Sequence, residues 1–125
     1  MKGNFLVICD SSPLIHLSKN NLLFLLEKLY IDIYIPNAVY NGIFIKGKNK
    51  PGYNSLINAH WIHSLFISNN QLSSLLYNIS GLHPGEIEVM ALADQNHGST
   101  TIIDDGEATE WARNLVSCHT CKVVI

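Results

Sequence analysis

Val7-Ile8-Cys9-Asp10-Ser11-Ser12-Pro13-Leu14-Ile15 is the stretch that decides the fold. From Phe5 to Cys9 every position is apolar, the pattern of a strand buried on both faces in the middle of a parallel sheet. Asp10 breaks the run with a charge. Two serines then turn the chain, and Pro13 suits the first turn of a helix capped by Ser12. In open α/β sheets, ligands gather outside the carboxyl ends of the strands, so Asp10 stands where such a sheet does its chemistry.

Outward from this stretch, short apolar runs alternate with longer helical patterns. Leu14, Leu17, Leu22, Leu25, Leu26 and Leu29 give apolar faces to one or two helices, interrupted at Lys19-Asn20-Asn21. A strand over 31–35 ends at Pro36, and a helix is predicted over 37–44. A basic loop follows, then a helix over 53–59 and a short apolar segment over 61–67. Leu72, Leu75, Leu76 and Ile79 mark a short helix within 68–80. Pro84 opens a strongly apolar helix through Ala93, with Gly98 just beyond its end. A strand over 100–103, a helix over 107–116 and a strand over 122–125 complete the series. Such alternation predicts a three-layer α/β/α sandwich around a mainly parallel sheet, as a single domain over 1–125.

Composition narrows the class. The 125 residues are 47% hydrophobic, ample for one core. No run reaches the roughly 18 apolar residues of a membrane span. The apolar N-terminal run is too short for a secretory signal. A cytoplasmic protein is expected. A net charge of −2 lacks the basic surplus common in nucleic-acid binders. The one basic cluster, Lys46, Lys48 and Lys50, lies in a Gly/Asn-rich loop where it can touch phosphates or simply be solvated. Cys118 and Cys121 have the spacing of a zinc half-site, but no second half exists, so a structural or incidental role is expected for them and for Cys9.

The acids fall into three clusters: Asp10, Glu86, and the pair Asp104-Asp105 after Thr101-Ile102-Ile103. Gathered at one sheet edge, they are expected to form a divalent-metal site. Hard cations such as Mg²⁺ take oxygen ligands and usually need one or two carboxylates plus water and substrate phosphate, which points to phosphodiester chemistry. Each acid also has a plainer role. Asp10 could cap the following turn, although Ser11 and Ser12 are expected to do so. Glu86 could complement its helix dipole, but a capping box would want Ser or Thr where His83 stands. Glu88 lies about 200° around the helix from Glu86 and is read as outside the site. Asp105 suits the N-cap of a helix starting at Gly106, and Asp104 alternates to the opposite face. The six histidines show no ligand spacing; Trp61 and Trp111 are read as core.

Four stretches, in this order, resemble a PIN domain: Val7 to Ile15, Ile35-Pro36-Asn37-Ala38-Val39-Tyr40, Gly85 to Ala93, and Ile102-Ile103-Asp104-Asp105-Gly106-Glu107-Ala108. The chain is similar to the compact prokaryotic toxin ribonucleases of that family. The resemblance implies a Mg²⁺- or Mn²⁺-dependent endoribonuclease acting on RNA, the toxin half of a toxin–antitoxin pair. Asp10 matches the family's first acid, Glu86 the acid opening the later helix, and Asp105, with Asp104 beside it, the acids after the next strand. Ser12 matches the hydroxyl that accompanies the first acid. Near Asn41 and Gly42 the family normally carries a second acid; here only the Asn41 amide oxygen is available as a weak ligand. That departure keeps a catalytically degenerate RNA- or protein-binding module as the alternative. The sequence also stops at Ile125 inside its last expected strand, where relatives commonly continue. Uncovered apolar surface there would favour a homodimer.

Overall fold

The computed structural model describes residues 6–68, 71–79, 81–96, 98–103 and 122–124. Its strands are β1 (Val7–Cys9), β2 (Ile33–Ile35), β3 (Ile62–Ser64), β4 (Thr100–Ile102) and β5 (Lys122–Val124). Its α-helices are α1 (Ser11–Lys19), α2 (Phe24–Tyr30), α3 (Asn37–Tyr40), α4 (Tyr53–Ile57), α5 (Gln71–Ile79) and α6 (Pro84–Gln95), with a π-helix over Asn41–Ile45 directly after α3.

The strands form one sheet in the order β3-β2-β1-β4-β5, with every neighbouring pair parallel. As the apolar run predicts, β1 is central. Ile8 lies in register with Tyr34 on one side and Thr101 on the other. Successive strand residues face opposite sides. Ile8 and Cys9 are both completely buried, so both faces of β1 are covered. This is the layered α/β arrangement expected from the sequence. Helix α6 packs on β1, β4, α3 and α5, and its residues 87 and 89–93 are all buried. A helix apolar on nearly all sides belongs inside the protein. No helix among the described residues is long and apolar enough to cross a membrane.

Several boundaries differ from expectation for local reasons. Helix α1 starts at Ser11, and its N-cap is Asp10, whose carboxylate accepts from the Ser11 N–H at 2.8 Å. Ser12 and Pro13 lie inside the first turn, where a missing N–H costs nothing. The predicted break at Lys19-Asn20-Asn21 is present: the Asn20 N–H donates to the Leu17 and Ser18 carbonyls, and Asn21 has φ +58°. Strand β2 begins two residues late because Ile31 sits at φ +71°, ψ −60°, while the Asp32 N–H donates to the Tyr30 carbonyl at 2.8 Å. That is a γ-turn of the rare, strained kind. The helix predicted over 37–44 changes type instead of continuing, with the Lys46 N–H reaching back five residues to the Asn41 carbonyl at 2.9 Å.

Glu88 has its own task. Its carboxylate accepts the Ala38 N–H at 2.9 Å, capping α3 where Pro36 offers no capping side chain. His63 pairs with Asp32 at the surface, 2.8 Å apart. Trp61 is only partly buried, packed against the core rather than within it. Cys9 is buried and forms no disulfide among the described residues. Asp104, Asp105, the helix predicted over 107–116, Trp111, Cys118 and Cys121 lie outside the described residues.

Candidate active site

From β1 the chain moves outward to β2 and β3, then crosses back over β1 to β4. The strand order therefore reverses beside β1, and in open α/β sheets this switch point opens the crevice that binds ligands. Asp10 lies at its carboxyl end. The Asp10 N–H donates to the Ile102 carbonyl at 3.0 Å, which extends the β1–β4 ladder by one rung and fixes where the residue sits.

Helix α6 brings the second acid to the same place. Asp10 and Glu86 are only 3% and 6% exposed, yet both line one pocket of about 380 Å³. Ser11, Ser12, Asn41, Lys46 and His83 also line it. The approach depends on Gly85: a Cβ there would lie 3.3 Å from Asp10 Oδ1 and 3.4 Å from Val39 Cγ2. Glu86 accepts the His83 N–H at 2.9 Å. That corrects the expectation that His83 disfavours capping. The glutamate half of a capping box needs only the backbone N–H of the N-cap residue, which any side chain leaves available. Both acids thus close a helix start and line the pocket, and each carboxylate has an anchored oxygen.

A family model described as a PIN domain matches residues 6–118. The chain belongs to the PIN-domain family. The PIN domain is a nuclease-type fold, and its members are generally dependent on divalent metal. Among curated proteins and among solved structures, none matches.

In this PIN domain, Asn41 and Gly42, near which the resemblance leads one to expect a further acid, both line the pocket. A Cβ on Gly42 would meet nothing within 4 Å. The basic loop is divided: Lys46 lines the acidic pocket, Lys50 lines neighbouring cavities, and Lys48 lines none of these. Glu88 is not among the pocket residues, in keeping with its place around the helix. Sequence reasoning missed His83 and Ser11. Their only signal was adjacency, one opening the helix of Glu86 and the other following Asp10.

Among the described residues, no group of three or more His, Cys, Asp and Glu is placed to hold a metal ion. The donors that do meet at the pocket include two carboxylates, two hydroxyls and one amide oxygen. Oxygen donors of this kind suit Mg²⁺ or Mn²⁺, ions that keep several waters and need few protein carboxylates.

Proposed function

We propose that this PIN domain is a Mg²⁺- or Mn²⁺-dependent endoribonuclease in which Asp10 and Glu86 hold the ion and Asp105, with Asp104, completes the acidic set. The observation that carries the reading is that two almost fully buried carboxylates share one pocket at the switch point of the sheet. Two neighbouring buried anions repel each other and lose hydration, a cost that a bound cation offsets. When bound, such an ion activates water and neutralises charge on the phosphoryl oxygens.

The remaining roles follow from chemistry. Backbone hydrogen bonds from Ser11 to Asp10 and from His83 to Glu86 hold the carboxylates in place. Ser12 and the Asn41 amide are uncharged oxygen donors that orient water or substrate, and Lys46 is the cation for a substrate phosphate. Action as the toxin half of a toxin–antitoxin pair, and assembly as a homodimer, extend this proposal.

One observation favours a second reading, a degenerate module that binds RNA without cutting it: uncharged Asn41 and Gly42 stand where the family places an acid. Cleavage of single-stranded RNA with Mn²⁺ distinguishes the two. The expected result is slow cleavage that stops with chelator and is lost in Asp10→Asn. RNA binding without any cleavage, together with a melting temperature unmoved by millimolar Mn²⁺, would establish the degenerate module instead.

A further inference from the structure

Two cavities lie along the loop between the π-helix and α4, the first bordering the acidic pocket at Gly42. The nearer, of about 260 Å³, shares Gly42 with that pocket and is lined by Lys19, Lys50 and Tyr53. The farther, of about 450 Å³, shares those three residues and adds Asn21, Asn49 and Ser55. No acidic residue lines either one, although the chain as a whole is net negative. Lys19 and Lys50 line both cavities, over an apolar floor of Ile15, Ile43 and Leu56 in the nearer one, so their charge is unopposed beside the pocket that holds the carboxylates. Lysine-lined grooves of this kind attract and guide polyanions.

The groove is formed in advance. A Cβ on Gly47 would lie 2.5 Å from the Ile43 carbonyl oxygen, so the loop is pressed against the π-helix at that point. Gly52, at φ +88°, lies so close to the Ser18 hydroxyl that a Cβ would collide with it. Ser18 is itself buried and tied to the Ile15 carbonyl at 2.9 Å, so the loop rests on a fixed part of α1. The backbone carrying Lys50, between Gly47 and Gly52, is thus held at both ends, which reduces the ordering cost of binding.

We infer that this line of cavities is the path of single-stranded RNA as it leaves the acidic pocket: Lys50 and Lys19 contact successive phosphates, Tyr53 stacks a base, and Asn21 and Asn49 hydrogen-bond its edge. Lysines that track the backbone beside an aromatic ring are the usual composition of a single-strand groove. A single strand also suits the amides, because its base edges are open to hydrogen bonding. The inference rests on the ribonuclease reading for the identity of the polyanion. It needs neither bound metal nor cleavage.

Fluorescence anisotropy of a labelled 12-nucleotide single-stranded RNA, in excess chelator and across 50–200 mM KCl, tests the path. Single-strand binding loses about 0.7 in log–log salt slope per phosphate contact. The Lys19→Gln/Lys50→Gln variant should therefore bind about tenfold more weakly and show a slope about 1.4 shallower. Tyr53→Leu should weaken binding several-fold with the slope unchanged, and Lys28→Gln, on α2, should match wild type. The double variant should keep the wild-type Mn²⁺-induced shift in melting temperature, so failure of the path and failure of the metal site are read separately. Undetectable wild-type binding at 50 mM KCl, or identical affinity and slope in the double variant, would overturn the path. An unchanged affinity for Tyr53→Leu would overturn the stacking contact.

Discussion

Gly85 and Asp10 are set against each other so closely that a methyl group on the glycine would stand 3.3 Å from the aspartate Oδ1. Its other neighbour, Val39 Cγ2 at 3.4 Å, is buried and has little room to yield, so the carboxylate is the part that moves. Gly85→Ala should leave the melting temperature within a few degrees of wild type, since helix propensity partly compensates the crowding. It should nonetheless diminish the Mn²⁺-induced rise in melting temperature and any cleavage. A Mn²⁺ response equal to wild type would show that the carboxylate position is not what Gly85 protects.

Gly42 offers the converse test. It lines the acidic pocket, and a Cβ there enters open space. Gly42→Asp should lower the melting temperature without metal, because a third carboxylate joins Asp10 and Glu86. With Mn²⁺ the order should reverse, the variant gaining a larger rise than wild type as the extra charge binds the ion. Gly42→Ala separates the backbone effect from the charge. If Gly42→Asp and Gly42→Ala respond equally to Mn²⁺, the position contributes nothing to the site.

The central strand, the parallel sheet and the approach of α6 to Asp10 were legible because long-range burial leaves a local mark. An unbroken apolar run at 5–9 means two covered faces, and apolar residues at 87 and 89–93, on nearly every side, mean an enclosed helix. The capping roles of Asp10 and Glu86 were misjudged because the sequence shows side-chain types but not which backbone N–H lies within reach. The Glu88 contact to Ala38 spans fifty residues and has no sequence signature. The π-helix at 41–45 was likewise hidden, since Asn-Gly-Ile-Phe-Ile fits an α-turn equally well. The split of the three lysines between cavities depends on how the loop folds down at Gly47 and Gly52, which composition alone does not record.

Ile31 stores strain that a single change should release. A β-branched side chain at φ +71° is unfavourable, and this one is 73% exposed, so little packing repays it. Such backbone positions cost on the order of 1–3 kcal/mol. Glycine removes the clash but adds unfolded-state entropy of about 0.5–1 kcal/mol. Ile31→Gly should therefore stabilise by up to about 2 kcal/mol in urea denaturation. Ile31→Ala, which keeps a Cβ, should not. Equal stabilities for the two variants would mean that the turn is not held as described.

Thr101 lies fully buried on β4, in register with Ile8, and among the described residues its hydroxyl has no hydrogen-bond partner. Burying an unpaired hydroxyl costs about 1–3 kcal/mol by mutational measures, whereas its β-branched shape is well suited to a strand. Valine keeps the branch and replaces the hydroxyl with a methyl, at a small steric cost. Thr101→Val should raise stability by about 1 kcal/mol, or a few degrees in melting temperature for a domain of this size. The Mn²⁺ response and RNA binding should not change, because Thr101 lines none of the cavities described above. A clear loss of stability would mean that the hydroxyl is bonded after all, and Thr101→Ser, which keeps the oxygen, would then stand above Thr101→Val despite losing the methyl.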